Sequence, residues 1–319
     1  MNLLLINHTE ENQDVLLARI LDEARQLGGC RCRLVHDIRP RVKHRLWTLG
    51  LPTAVVSMRP VSTQPKERFT PPWAMVWQQA RIDKAEELRA LEAADVRVPR
   101  WVEIQRGPQP DLSGFKDFVV VKPAHGTVGA LVRVMRRSRV RWEPSAVGFH
   151  LFTSKPGVSD VLLAQDYIHT GPWPTSYRVG TVFGEPIYAL RFEASRTRPP
   201  FEDTPNSSEA FVGRTIVAAS KGSLADAAVP EDVIELAKSA HQAFPDVPVL
   251  GTDIVREHDT GLLYVLEVNA VGGTFHLTSG SYDQLLQERG IDLRKQFGGA
   301  AAVARGIHRR LRAASTAIR

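Results

Sequence analysis

Two β-rich runs near the C-terminal end constrain this chain more than any other feature. Gly251-Thr252-Asp253-Ile254-Val255 and Leu266-Glu267-Val268-Asn269 flank His258-Asp259-Thr260-Gly261, whose composition is that of a hairpin turn. Successive side chains of a strand point to opposite faces, so Glu267 and Asn269 project together while Leu266 and Val268 enter the core. A hairpin brings Asp253 alongside them. Two carboxylates and an amide oxygen on one sheet surface make a hard-oxygen set suited to Mg²⁺ carrying substrate phosphates. The same pattern also describes the polar outer face of an ordinary hairpin, and the rest of the chain must separate the two readings.

With 319 residues and 43% hydrophobic content, the chain has material for two or three compact domains. The apolar run Met1–Ile6 is too short for the core of a secretory signal, and no run approaches the ~20 apolar residues of a membrane span. The two cysteines, Cys30 and Cys32, stand one residue apart. That spacing argues against a disulfide framework and fits a reducing cytoplasm, and the pair reads as packing residues. The formal charge of +6 is carried largely by arginine, with groups at Arg133–Arg141 and Arg305–Arg312. No helix-turn-helix, zinc or RNA-recognition signature accompanies it, so it speaks for anionic substrates or a solvated face rather than nucleic acid.

Asn2–Ile6 reads as a strand. Glu11–Leu27 reads as a helix, with Val15, Leu16, Ile20, Leu21, Ala24 and Leu27 at helical spacing before Gly28-Gly29. Arg33–Val35 and Ala54–Met58 extend a small α/β lobe that lacks a G-x-G-x-x-G after its first strand. The proline-rich Arg59–Pro72 reads as its connector, dividing the chain into domains at 1–72 and 73–319. Trp77–Ala94 reads as the next helix. Strands are expected from Val98 and at Phe118–Val121, Ala130–Met135, Val161–Gln165, Tyr177–Phe183 and Pro186–Phe192. Ser195–Ser208 reads as a loop, Pro230–Phe244 as a helix opened by proline, and Ser281–Glu288 and Gly299–Ala314 as closing helices. Strand-heavy segments with single interspersed helices fit α+β lobes better than a doubly wound parallel sheet.

Lys122 stands at the exit of an apolar strand, directly before Pro123-Ala124-His125-Gly126-Thr127-Val128-Gly129. Glycines let a backbone approach a triphosphate, loop N–H groups can cradle it, and the lysine adds charge at a fixed place. A plain turn beside a solvated lysine has the same residues. Order adds information. Asp83-Lys84, Val98-Pro99, Val121-Lys122-Pro123 with its glycine-rich hairpin, Gln165-Asp166-Tyr167-Ile168, Tyr177-Arg178, Arg191, Gly251-Thr252-Asp253 and Leu266-Glu267-Val268-Asn269 follow one another. This series resembles the ATP-grasp superfamily, closest to the branch holding the ribosomal-protein glutamate ligase, glutathione synthetase and D-alanine–D-alanine ligase. The resemblance covers roughly Trp73 to the C-terminus. It implies an ATP-grasp fold, in which two α+β lobes (central, about 100–165; C-terminal, about 166–319) sandwich ATP behind a small α/β pre-ATP-grasp domain.

Carried over position by position, the resemblance implies that Lys84 and Lys122 contact ATP phosphates. Gly126, Thr127 and Gly129 belong to the loop that closes over them. Gln165, Asp166, Tyr167 and Ile168 form the adenine-holding hinge, and Arg178 falls among the nucleotide-binding positions. Arg191, together with Lys122, stabilises the phosphoryl group in flight, and Asp253, Glu267 and Asn269 hold two Mg²⁺ ions, with Mn²⁺ as an admissible substitute. Two departures stand out. Ser176 replaces the acidic residue that relatives use to hold the ribose, and Ala270-Val271-Gly272-Gly273 replaces a Pro-Gly. Gly272, Gly273 and His276 then border the acceptor side, with Arg214 in a basic substrate segment.

The implied activity is ATP-dependent ligation of a carboxylate to an amine through an acyl phosphate, releasing ADP and phosphate. The partners are an amino acid, small peptide or peptide terminus, and a homodimer is common in the resembled branch. A carboxylate approaching a γ-phosphate meets like-charge repulsion, which fixed cations around the phosphoryl oxygens lower. Two other readings share the fold: a small-molecule kinase that stops at a phosphoester, and a non-catalytic nucleotide-binding module.

Overall fold

Short β-prone runs and, among the described residues, one amphipathic helix build the first lobe of the computed structural model. The structure describes residues 1–6, 14–35, 51–58, 74–79, 82–125, 132–142, 145–147, 157–159, 161–194, 197, 224–270, 275, 277, 286 and 289–317. Strands β1 (Asn2–Ile6), β2 (Arg31–Val35), β3 (Thr53–Ser57) and β4 (Ala74–Gln78) run parallel in the order β2-β1-β3-β4. Central β3 is buried along its whole length, as a strand covered on both faces must be. Helix α1 (Asp14–Gln26) buries Leu17, Ile20, Leu21 and Ala24.

Trp77 corrects an expectation. The helix expected over Trp77–Ala94 begins at Lys84, and Trp77 lies in β4 opposite Val56. Ala74-Met75-Val76-Trp77-Gln78 is a β-prone run, whereas α2 (Lys84–Ala93) waits for its cap: Asp83, in extended backbone, accepts a hydrogen bond from the Ala85 N–H at 2.8 Å. The first sheet thus extends past residue 72.

A second sheet, antiparallel throughout, has the order β5-β10-β6-β7, from β5 (Trp101–Ile104), β6 (Phe118–Pro123), β7 (Arg133–Arg136) and β10 (Leu162–Asp166). A short hairpin of β8 (Ser145–Val147) and β9 (Gly157–Ser159) stands apart. The third sheet, β13-β12-β11-β14-β15, joins β11 (Thr175–Val182), β12 (Glu185–Glu193), β13 (Leu224–Asp226), β14 (Val249–Arg256) and β15 (Leu263–Asn269) in antiparallel register. The architecture is α+β.

Alternation gives the third sheet two unlike faces. Tyr177, Val179, Ala189, Leu250, Ile254, Val265 and Val268 pack on Val233, Ala237 and Ala240 of α3 (Glu231–Gln242). Fully burying one such valine or leucine contributes on the order of 1.5–3 kcal/mol. On the other face, Val182, Tyr188 and Leu190 join a core with Leu293 of α4 (Leu293–Gln296) and Val303 and Ile307 of α5 (Ala300–Ala317). Only glycine fits at 180, because a Cβ there would stand 2.1 Å from the Tyr188 ring. Beyond Tyr188, Arg178, Asp253, Glu267 and Asn269 share the same face with Leu190, which lies opposite Arg178.

The helix expected at Ser281–Glu288 and the connector at Arg59–Pro72 lie outside the described residues, Leu286 apart. Among the described residues no helix is long and apolar enough to cross a membrane.

His241 locks α3 to the sheet. Its Nε2 donates to the Val247 carbonyl at 2.9 Å, so Nδ1 of the neutral ring accepts from the Thr181 hydroxyl at 2.7 Å. Burial pushes its pKa down to about 4, against the smaller opposing effect of the Val247 bond. The folded pKa lies below the unfolded value of about 6.5, so the contribution is complete above pH 6.5 and is lost as pH falls towards 4. Urea denaturation should show roughly 3 kcal/mol of acid-side loss across that window at 1.36 kcal/mol per pKa unit. His241→Gln should flatten the same stretch of the profile, and an unchanged slope would contradict the assignment.

Candidate active site

The capped end of α2 carries the first cation. Lys84 N–H donates to the Ala124 carbonyl just beyond β6, and the second oxygen of Asp83 lies 3.1 Å from His125 Nδ1. This fixes the lysine between two sheets, where its Nζ donates to Glu267 Oε2 at 2.8 Å. Burial opposes the Lys84 charge, but Glu267 and then Glu87 outweigh it and raise the pKa. Lys122 comes from the end of β6 and is buried, with Nζ donating to the Leu266 carbonyl at 3.3 Å. Burial pulls its pKa down to about 8, with Glu267 resisting, so it keeps most of its charge at neutral pH.

A β-bulge assembles the carboxylates. Counting back from the turn, Arg256 opposes Leu263 and Ile254 opposes Val265, a register that would set Asp253 against Leu266. The register shifts between Asp253 and Ile254, so Asp253 faces Glu267 and Gly251 faces Asn269. Leu266 is the extra residue, and its carbonyl is the one that Lys122 uses. Without the shift, Glu267 and Asn269 would lie on the α3 face and Asp253 on the other.

Two carboxylates directly opposite on neighbouring strands repel. Cations answer both. Lys84 holds the Glu267 pKa down to about 2 against burial, helped by Lys122 and Arg178. Arg178, opposite Asp253 on β11, donates from Nε at 2.7 Å and from Nη2 at 2.6 Å, a bidentate pair that raises its own pKa despite burial. Asn269 Nδ2 adds a bond to Asp253 Oδ2 at 3.1 Å.

Glu87 was not read as a site residue from the sequence. It lies one helical turn beyond Lys84, 5% exposed, with the Val268 backbone N–H as a partner and no hydrogen-bond partner for Oε2. Burial pushes its pKa up to about 8 against the attraction of Lys84, which leaves the carboxyl largely neutral at pH 7. Its i, i+3 spacing from Lys84 was the available signal. Three cations, Lys84, Lys122 and Arg178, therefore meet two ionised carboxylates.

Arg191 is not brought to this cluster. The Phe183-Gly184 turn pairs Val182 with Glu185, a count that would set Arg191 opposite Ser176 on the Arg178 face. A register shift between Gly180 and Thr181 sets it opposite Tyr177 instead, on the α3 face, where it pairs with Glu193. Of the hinge residues, Gln165, Asp166, Tyr167 and Ile168 are all buried. Asp166 Oδ1 accepts from the Lys116 N–H at 2.8 Å, and the N–H groups of Asp166 and Tyr167 bond to Arg100 and Phe118 carbonyls. Gln165 Nε2 is buried and has no hydrogen-bond partner among the described residues. Ser176 is buried on the Arg178 face. Gly126, Thr127, Gly129, Arg214, Gly272, Gly273 and His276 lie outside the described residues.

Asp253 and Glu267, with the Asn269 amide oxygen, form a hard-oxygen donor set on one surface. Among the described residues no group of three or more His, Cys, Asp or Glu side chains is placed to hold a metal ion. Two carboxylates and one amide oxygen are a donor set that fits an ion taking its remaining ligands from phosphate and water, as Mg²⁺ usually does.

No protein-family model matches the chain. No curated protein matches it either. Among solved structures, the chain is similar to a D-alanine–D-alanine ligase from Bacillus anthracis, at 10% identity over 98% of this chain and 99% of that one, with a TM-score of 0.48. It is similar to a RimK domain ATP-grasp protein from Sphaerobacter thermophilus, at 14% identity over 96% and 99%, TM-score 0.44. A RiPP-associated ATP-grasp ligase from Chryseobacterium gregarium, solved with ADP and a leader and core peptide, is similar at 11% identity over 95% of each chain, TM-score 0.48.

Proposed function

We propose that this chain is an ATP-dependent carboxylate–amine ligase of the ATP-grasp kind, which forms an amide through an acyl phosphate and releases ADP and phosphate. The observation that carries the reading is the Glu267 cluster. Cations drawn from α2, the second sheet and the third sheet converge on two carboxylates and exceed them by one charge. Such a surplus suits a polyanion rather than a free metal ion.

Lys84 and Lys122 hold phosphate oxygens from the α2 and β6 side. Asp253, Glu267 and the Asn269 oxygen hold Mg²⁺ from the β14–β15 side, and Mn²⁺ is a workable substitute. Two such ions held by these residues would supply charge neutralisation for the phosphates of ATP. The phosphoryl-stabilising part that the resemblance gives to Arg191 falls to Lys122 and Arg178 in this arrangement, since Arg191 projects from the other face. Gln165 offers an N–H to the base. The carboxylate substrate is an amino acid, a small peptide or a peptide end.

Incubation with Mg·ATP and panels of carboxylate–amine pairs should release ADP together with a product of amide mass. A stable phosphoester would reassign the chain to the kinases, and no ADP with any pair would count against catalysis altogether. Glu267→Gln should lower ADP release about 10²–10³-fold, the scale of one lost electrostatic contact in a transition state, while circular dichroism stays native. Unchanged turnover would remove Glu267 from the site. Arg178→Ala should cost on the order of 2 kcal/mol in urea denaturation without ligand, because Asp253 loses a bidentate partner. Arg178→Lys should recover less than half of that, since an ammonium cannot reproduce the fork.

A further inference from the structure

Far from that cluster, Cys30 stands immediately before β2 and Cys32 lies within it, with Arg31 between them. Their Sγ atoms stand 3.3 Å apart in a thiol–thiol hydrogen bond, and both residues are half-buried. Cys30 lines a cavity of about 240 Å³ between the α1–β2 turn and α5, together with Met1, His308, Arg312 and Ser315. The cavity is wide enough to admit a small solute. Gly28 and Gly29, both at positive φ, precede Cys30 and turn the chain from α1 into β2.

We propose that Cys30 and Cys32 form an oxidant-reactive thiol pair that a hydroperoxide converts to an intramolecular disulfide. The Cys30 thiolate attacks one peroxide oxygen and the O–O bond breaks. Sulfur is oxidised to a sulfenic acid, and the other oxygen takes a proton and leaves as water or an alcohol. The Cys32 sulfur then attacks the Cys30 sulfur, forming the S–S bond as the S–O bond breaks. The hydroxyl leaves with the thiol proton as water. One hydroperoxide and two thiols give one disulfide, one water and one water or alcohol.

The surroundings assign the roles. The Cys32 thiol, donating its hydrogen bond, lowers the Cys30 pKa to about 7 against burial, and the N-terminal amine and Arg25 act in the same direction. The same bond pushes the Cys32 thiol up, so one sulfur is the nucleophile and the other keeps its proton until the second step. Arg25 is itself paired with Asp22 on α1, and the other titratable or charged groups lining the cavity with Cys30 are His308 and Arg312 on α5. His308 Nε2 is engaged with the Gly28 carbonyl at 3.1 Å. Alternate strand residues are spaced by about 6.6 Å, at the upper end of the Cα separations that a disulfide spans. A bond formed there would be half-buried beside an open cavity and within reach of a thiol reductant, which marks a reversible modification rather than a structural cross-link.

Intact-mass analysis of the full chain, treated at pH 7 with one equivalent of hydrogen peroxide under a chelator, tests this directly. The expected result is a loss of about 2 Da per chain and of both free thiols, each restored by a thiol reductant. Cys32→Ser should instead yield a sulfenic acid on Cys30 that a cyclic dione traps, and Cys30→Ser should give at least tenfold less adduct on Cys32. Alkylation of Cys30 in the wild-type chain should reach half its maximal rate near pH 7 rather than near the ordinary thiol value of about 8.5. Retention of both thiols in the folded wild-type chain, a disulfide only between two chains, or equal trapping in the two variants would overturn the proposal.

Discussion

The extra residue at Leu266 is the constraint on which the site depends. A regular β14–β15 ladder would set Asp253 on one side of the sheet and Glu267 with Asn269 on the other. The bulge brings three oxygen donors to one surface and leaves the Leu266 carbonyl to meet Lys122 from another sheet. One local irregularity thereby does two things: it aims the carboxylates and provides the backbone acceptor that draws the second sheet towards the third. Bulges bend and twist strands, which suits a surface meant to wrap a ligand rather than pack flat.

That surface is available because the third sheet is covered unevenly. One side is sealed by α3 and the other only in part by α4 and α5, with Tyr188 lying over Gly180 at the limit of the covered region. Burying charge beside that limit is expensive, and ion pairs in such places seldom add much net stability. Their geometry is what they contribute. Lys84 ties α2 to β15, Lys122 ties β6 to the bulge, and Arg178 ties β11 to β14, so three separate elements are indexed to one pair of carboxylates.

Much of this was legible in the sequence, and the exceptions have physical causes. The hairpin, its turn and its polar residues follow from period-two alternation, and α3 and α5 from helical spacing. A five-residue strand that ends shortly before a helix merges with it when only apolar spacing is read, so Trp77 reads as helical, and the Asp83 cap marks the boundary better. Arg191 matched a motif by position, yet the face on which a strand residue sits depends on every register shift between it and the turn. The mark of that shift in residue type is a single glycine inside a strand, Gly180, which suggests an irregularity without saying how the register moves. Glu87 was missed for a similar reason: an acid on a helix is ordinarily solvated, and only the packing of α2 against β15 makes this one buried.

The neutral state of Glu87 matters to the charge balance. Were it ionised, three carboxylates would balance Lys84, Lys122 and Arg178, and an incoming polyanion would meet no net attraction. Burial keeps its proton on at pH 7, while Lys122, with a pKa near 8, keeps most of its charge. Both shifts have burial as their largest cause, but they work on opposite starting charges. Desolvation removes a negative charge from Glu87 almost completely and a positive charge from Lys122 only in part, because Glu267 is close to the lysine and resists. The same low-dielectric surroundings that make charge costly therefore leave the cluster with a positive excess at neutral pH, on the side from which Lys84 and Lys122 approach.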